Sequence, residues 1–300
     1  MIKKQRAWLG AVVCLGIVTA YAAGIFHRPG VIDVGACGVA GEISDAAEGE
    51  YTANPADYPL AGVRGGDGAP RYYVEAFPDI ADEGLPVEER KDVFLRAMLP
   101  LVLAVNESLQ TQRHMLLRLA ACQDRGDELT TAALDWLNEM AERYNTKPVP
   151  KLLLQRVDIV PPALALAQSA IESGWGQSRF VREGNALFGE HLTGPAGGLK
   201  PVSLREDTDV RVAAFERPID SVIAYARNLN THRAYAEFRR QRASMRTTER
   251  PLDAVRLAGT LHRYSARRGA YVRDIRALIA ANNLTDFDRA WLRAGDEGSR

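Results

Sequence analysis

Apolar side chains recur at helical spacing along two segments in the first half of the chain. The first segment begins near Glu88 and Glu89, two acids that suit the positive end of a helix dipole, and it contains Pro100, which is expected to bend a helix. We therefore predict two amphipathic helices. Their apolar faces are Phe94, Met98, Leu101, Val105, Leu109, Leu116 and Leu119 in the first, and Leu129, Ala133, Trp136, Met140 and Tyr144 in the second.

A third segment is apolar on all sides. Residues 163–171 contain almost nothing polar, which predicts a helix buried in the core. The pair Pro161-Pro162 can open this helix, because the first helical turn needs no amide donors. Gly174 and Gly176 are expected to end it.

The pattern changes again after this helix. Residues 194–215 alternate between polar and β-branched side chains, which predicts a small β-hairpin. Helical periodicity then returns in four segments, which are residues 219–227, 231–246, 252–264 and 271–282. The predicted fold is mainly helical with one small hairpin.

The N-terminus has the pattern of a membrane segment. Residues 7–26 carry no charge and follow Lys3, Lys4 and Arg6. Twenty helical residues at about 1.5 Å each reach about 30 Å, the thickness of the hydrocarbon core of a bilayer. The cationic end should stay in the cytoplasm, so we predict a transmembrane helix with the rest of the chain on the other side. A cleaved signal peptide is the alternative, because Ala20-Tyr21-Ala22 resembles a cleavage site.

Residues 28–86 are rich in Gly, Pro, Ala and acidic side chains. This composition predicts a flexible linker, with a short strand at Arg71–Phe77. A chain that begins near Leu85 is then expected to fold by itself. The predicted boundaries are an anchor or signal at 1–27, the linker at 28–86, a helical lead-in at 87–146, the main domain at 147–285 and a tail at 286–300, of which GDEGSR (295–300) is expected to be frayed.

Charge and cysteine content add little to this organisation. Residues 29–92 hold 14 acidic and 4 basic side chains, a net charge of −10, whereas residues 201–300 hold 19 arginines and 13 acids, a net charge of +6. The basic final third favours either an anionic partner or a solvated arginine-rich surface, and we expect no nucleic-acid partner. Cys37 and Cys122 form a disulfide or remain free thiols, and no spacing of ligand side chains indicates a metal or another cofactor.

Glu172 is the candidate for chemistry, because a carboxylate is unusual at the end of an apolar helix. Apolar neighbours and the negative end of the helix dipole both favour the neutral acid. A neutral carboxyl near pH 7 is what a glycosidase uses to protonate a leaving oxygen. Trp175 offers a face on which a sugar ring can stack, and the glycines beside it let a polymer approach the backbone. The alternative is a glutamate that only faces solvent.

The segments AQSAIESGWG (167–176), SRF (178–180), EGN (183–185) and LFG (187–189) resemble the signature of bacterial β-N-acetylglucosaminidases, which hydrolyse peptidoglycan. The chain is similar more narrowly to the Bax-type proteins of Gram-negative bacteria, through RYNTKPVP (143–150), AYARNLNTHRAY (224–235) and YSARRGAYV (264–272). The resemblance covers about residues 88–284. It implies a lysozyme-like α+β fold, with the domain at 147–285 in the periplasm and the anchor at residues 7–26 in the inner membrane, or a secreted protein if the segment is cleaved.

The resemblance also implies roles for individual residues. Glu172 matches the catalytic acid of the family, and Tyr264 matches a tyrosine that lines its active site. Asn185 and Phe188 match residues that shape the site, and we add Trp175 and Tyr225 as candidates for substrate binding. A second carboxylate comes from the hairpin in some relatives, and the candidates here are Glu206, which we favour, Asp207 and Asp209.

The expected activity is hydrolysis of β-1,4 bonds after N-acetylglucosamine in the glycan strands of peptidoglycan. A lytic transglycosylase is one alternative, although the Gly-Leu-Met-Gln type of stretch that typically follows the glutamate of those enzymes is absent from this sequence. A second alternative is a membrane-tethered protein that binds the cell wall without cleaving it. The presence of Glu172 argues against this alternative.

Overall fold

The computed structural model describes residues 17–18, 37–38, 44–80, 85–193, 198–199, 210–248 and 251–294. The helices are α1 (Leu60–Arg64), α2 (Val87–Arg125), α3 (Thr131–Arg143), α4 (Pro150–Leu153), α5 (Pro162–Ser173), α6 (Arg179–Gly184), α7 (Pro218–Thr231), α8 (Ala236–Arg246), α9 (Ala254–Ala258) and α10 (Gly269–Ala281). Two 3₁₀ helices span Arg233–Tyr235 and Leu284–Arg289. The strands are β1 (Ile17–Val18), β2 (Glu50–Thr52), β3 (Tyr72–Val74), β4 (His191–Thr193) and β5 (Val210–Val212).

The two long amphipathic helices are confirmed. The predicted apolar face of α2 is buried along its whole length, and α2 remains one helix through Pro100, where the bend stays a prediction. In α3 the hydroxyl of Thr130 accepts the amide of Ala133 at 3.2 Å and so caps the first turn. These helices pack with the rest of the described chain around one hydrophobic core.

The buried helix is confirmed as α5. It begins at Pro162, ends where Gly174 takes a left-handed conformation, and buries every residue from Pro162 to Ala170. α2, α9, α10 and the 3₁₀ helix Leu284–Arg289 surround it. Because α5 is enclosed on several sides, its last turn is held rigidly, and Glu172 lies in that turn.

The predicted hairpin is confirmed in part: the segment 194–215 contains β5 and an antiparallel bridge from Leu199 to Val212, but β4 lies just before that segment. β4 and β5 are antiparallel, with His191 opposite Val212 and Thr193 opposite Val210. The segment that joins the two strands lies mostly outside the described residues. The mainly helical class with a small hairpin is therefore confirmed, and likeness to lysozyme stays a prediction.

Of the predicted membrane segment, residues 7–26, the structure describes only Ile17 and Val18. At Ile17 and Val18 the chain is extended and runs parallel to His191 and Leu192 of β4, where a helix was expected. The remainder of residues 7–26 lies outside the described part of the chain. None of the helices that the structure describes is both long and apolar enough to cross a membrane.

The prediction of a flexible linker is wrong for residues 44–80, the main described part of that segment, because they are folded onto the helical domain. The short strand expected near Tyr72 exists as β3, which pairs in parallel with β2. The segment is rich in Gly, Pro, Ala and acidic residues, but its scattered apolar side chains are part of the common core. The buried ones are Tyr58, Leu60, Val63, Ala69, Tyr73, Val74, Phe77 and Ile80.

Of the two alternatives for Cys37 and Cys122, the structure shows the disulfide. Cys37 is joined to Cys122, near the C-terminus of α2, across 85 residues of sequence. In the chain-entropy model, closing a loop of that length stabilises the fold by about 4–5 kcal/mol. Asp127 lies beside the two sulfurs, but sulfurs bonded to each other are not thiolate ligands for a metal.

The C-terminal boundaries also differ from the prediction. The helix expected over 252–264 is only α9, after which turns lead to α10. The tail expected at 286–300 is folded onto the domain as far as residue 294, because Phe287 is fully buried and Ala69 pairs with Leu292. The N-terminal segment therefore holds this part of the tail in place. The residues expected to fray, 295–300, lie outside the described part.

Several arginines of the basic final third serve the interior. Asp158 is buried and contacts three guanidiniums, those of Arg113, Arg242 and Arg246, at 3.6, 3.8 and 2.6 Å. Burial alone would raise the pKa of Asp158, but the guanidiniums, that of Arg242 first, lower it below its usual value. The positive charge of this region is thus partly a structural feature.

Candidate active site

Glu172 is the next-to-last residue of α5, and its side chain is partly exposed. One carboxyl oxygen, Oε1, is buried. The other, Oε2, lies 3.3 Å from the position that a Cβ on Gly189 would occupy. Gly189 has a φ of +61° and must leave room for this carboxyl, which is why glycine suits the position. The end of α5 and the LFG segment therefore meet at Glu172.

The loop after Glu172 is held from the N-terminal side of the chain. Gly176 has a φ of +79°, and a Cβ there would lie 2.5 Å from the ring of Phe77 and 3.0 Å from Ile80. Trp175, also left-handed at +57°, packs its ring against Phe94 at 5.3 Å, with Lys91 over the ring at 5.6 Å. Trp175 thus contacts α2, and its role in sugar binding stays a prediction.

Asn185 is occupied by structural hydrogen bonds. Its Oδ1 accepts the amide of Phe77 at 3.1 Å, and its Nδ2 donates to the carbonyls of Phe215 and Glu216, each at 3.1 Å. Its φ of +49° ends α6. An asparagine tolerates this conformation and also has the amide needed to join the three segments. Asn185 thus joins three segments through its amide, and its role in shaping the active site stays a prediction.

The aromatic candidates lie together behind Glu172 and are buried. Phe188 stacks on Tyr225 with ring centroids 3.8 Å apart, and Tyr264 donates its hydroxyl to the carbonyl of Phe188 at 3.2 Å. Tyr225 donates to Gln168, which donates in turn to Tyr271. The exposed fractions of Phe188, Tyr225 and Tyr264 are 0%, 1% and 2%, so these residues support the site from within and do not contact a substrate as placed.

The sequence interpretation missed Glu190. This glutamate follows Gly189 directly, is 5% exposed, and has one buried carboxyl oxygen without a hydrogen-bond partner in the described structure. Burial raises its pKa to about 8. The charges of Glu190 and Glu172 both help to raise the pKa of Tyr225, after burial and the effect of Tyr235, so both carboxyls lie near that ring. The signal in the sequence was an acid at the end of an apolar run, as for Glu172.

The structure thus groups Glu172 with Tyr225, Phe188 and Tyr264, and adds Glu190 to them. Glu206 lies outside the described residues, as do Asp207 and Asp209, so the second carboxylate of the hairpin stays a prediction. What the described part can supply is a partly exposed carboxyl on a rigid helix end, backed by buried aromatic side chains. This is a suitable arrangement for a proton donor.

Comparison with known proteins gives three matches. The sequence model of the family described as "Glucosaminidase: Mannosyl-glycoprotein endo-beta-N-acetylglucosaminidase" matches residues 151–284. Protein bax of Escherichia coli (strain K12) is 32% identical over 212 residues, which are 64% of this chain and 72% of that protein. The catalytic domain of the autolysin Auto from Listeria monocytogenes is 19% identical and covers 55% of this chain and 96% of its own, with a TM-score of 0.32.

The structural match is too weak to carry an argument, but the two sequence matches agree with each other. The region that matches the glucosaminidase family includes Glu172, the LFG segment and Tyr264. The similarity to Protein bax covers most of both chains. The chain therefore belongs to the Bax-type proteins that carry a glucosaminidase domain.

Proposed function

We propose that this protein is a peptidoglycan hydrolase that cleaves β-1,4 bonds after N-acetylglucosamine, with Glu172 as the general acid. The observation that carries the proposal is the position of the Glu172 carboxyl, which is partly exposed at a rigid helix end inside the region that matches the glucosaminidase family. The autolysin similarity is consistent with this substrate but too weak to add weight.

In this reaction Glu172 donates its proton to the glycosidic oxygen while the bond from that oxygen to the sugar breaks. Water then supplies the hydroxyl of the new reducing end, and a base accepts the proton of the water. We assign the base or charge-stabilising role to Glu206, from the family resemblance. Tyr264, Phe188 and Tyr225 keep the wall behind Glu172 dry and rigid, and Trp175 and Asn185 hold the loops beside it.

Mass spectrometry of the muropeptides released from purified sacculi tests the proposal. We expect fragments with N-acetylglucosamine at the new reducing end. Fragments with a 1,6-anhydro ring would instead identify a lytic transglycosylase. Binding to sacculi without release of any fragment would favour the cell-wall-binding alternative.

We also propose that the domain lies in the periplasm, anchored by residues 7–26. The charge pattern of the N-terminus supports this orientation, and so does the disulfide of Cys37 and Cys122, because disulfides are rare in reducing compartments. A reporter that is active only after export, fused after Arg28, is expected to be active. Activity of a reporter that works only in the cytoplasm would contradict the orientation.

A further inference from the structure

The Glu172 carboxyl rests on a short turn, Phe188 to Glu190, that is fixed at both ends. At one end the carbonyl of Phe188 accepts the hydroxyl of Tyr264, and its ring stacks on Tyr225. At the other end the carbonyl of Glu190 accepts the amide of Ala213 at 2.7 Å. Gly189, between them, is the residue that Glu172 approaches. A shift of this turn therefore changes the surroundings of Glu172 directly.

The Glu190 side chain is buried beside this turn. Among the described residues its Oε1 has no hydrogen-bond partner. Tyr225 on α7 is a titratable group near this carboxyl, because the charges of Tyr235, Glu190 and Glu172 all raise its pKa after the effect of burial. Tyr264 contacts the other end of the turn at the carbonyl of Phe188, and Arg211 lies on the paired strand β5 opposite Leu192. The side chain of His191 lies outside the described part. A neutral carboxyl is tolerated in such a place, whereas a carboxylate requires a partner or water.

We propose that Glu190 is a positioning residue for Glu172: while neutral it stays buried and keeps the turn Phe188–Glu190 against the Glu172 carboxyl, and when it ionises the turn opens. This inference rests on the proposed function for its catalytic consequence. Opening of the turn brings water to Glu190, removes the contact of Gly189 with Glu172 and lowers activity at alkaline pH.

The direction of the pH dependence follows from burial. The pKa of Glu190 is raised from 4.5 to about 8 in the folded protein. The folded state therefore keeps a proton that the unfolded chain has already released. The stability of the fold should fall as the pH rises from about 4.5 towards about 8, and this contribution should be constant above that value.

The test is the substitution Glu190→Gln, because glutamine has the shape of the neutral acid and cannot ionise. At mildly acidic pH, kcat/KM on soluble glycan fragments should stay within about threefold of the parent. As the pH rises through about 8, the parent should lose activity more steeply than the variant, because only the parent can ionise residue 190. Glu183→Gln, which removes an exposed carboxylate on α6, is the matched control and should follow the parent.

Urea unfolding between about pH 5 and pH 9 gives a second readout that needs no activity. The parent should lose stability over this range relative to Glu190→Gln, and Glu183→Gln should again follow the parent. Identical pH profiles of activity and stability for the parent and Glu190→Gln would overturn the inference. If the parent cleaves nothing, the proposed function fails. The urea measurement still tests Glu190, because equal pH profiles of stability for the parent and Glu190→Gln would reject its ionisation.

Discussion

Glu172→Gln is expected to reduce the release of muropeptides by about 10²–10⁴-fold while the protein stays folded. Glutamine keeps the size and hydrogen-bonding atoms of the side chain but has no acidic proton to donate. The side chain is partly exposed at the end of α5, so the core should be undisturbed. The measurement is kcat/KM on sacculi fragments, with circular dichroism and urea unfolding to show that the variant is folded.

Glu206→Gln is the comparison that interprets the first result. A loss similar to that of Glu172→Gln would assign Glu206 the base or stabilising role. Little change would favour attack by the acetamido group of the substrate, or another hairpin acid such as Asp207 or Asp209. Parent-like activity of folded Glu172→Gln would refute Glu172 as the general acid and would assign the proton transfer to another group.

Removal of the N-terminal segment is expected to abolish cooperative folding. A chain that starts at Leu85 lacks five buried aliphatic or phenylalanine side chains, which are Leu60, Val63, Val74, Phe77 and Ile80. Each such side chain contributes about 1.5–3 kcal/mol when fully buried, and a whole domain has only about 5–15 kcal/mol of stability. The truncation also removes the disulfide. Thermal unfolding followed by circular dichroism measures the effect.

A chain that starts at Ala36 is the control, because it keeps Cys37 and residues 44–80 and should unfold like the full chain. Two point variants localise the effect further. Phe77→Ala should cost about 3–5 kcal/mol in the free energy of unfolding, since the ring is buried against Gly176 and Phe94. Tyr72→Ala, at an exposed position of the same segment, should cost little. A chain from Leu85 that unfolds cooperatively at the parent temperature would restore the linker interpretation.

The sequence alone determined the elements that depend on local periodicity. The stripes of α2 and α3, the all-apolar α5 between a proline pair and a glycine, and the alternation that contains β5 follow from 3.6-residue and 2-residue patterns. The position of β4, just before the alternating segment, did not follow from them. The family was also evident from the sequence, because its motifs are local and lie in order. Glu172 was recognisable because a single acid interrupted an otherwise apolar segment.

Other features were decided only by tertiary contacts. Residues 44–80 have no periodic pattern, and their burial follows from contacts with helices far along the chain, such as Phe77 against Gly176 and Asn185. Phe188, Tyr225 and Tyr264 were predicted to line the site or contact the substrate, but the structure buries all three, because which way a side chain faces depends on its neighbours in space.

Glu190 shows the physical reason for this division. The pKa of the Glu190 carboxyl depends on how far it is buried from water, and burial cannot be read from a local sequence pattern. A helix can be predicted from neighbours three and four residues apart, because those neighbours are fixed by the chain itself. The burial of Glu190 and the approach of Gly189 to Glu172 depend on segments from α5, α7 and β5 that only the folded chain brings together.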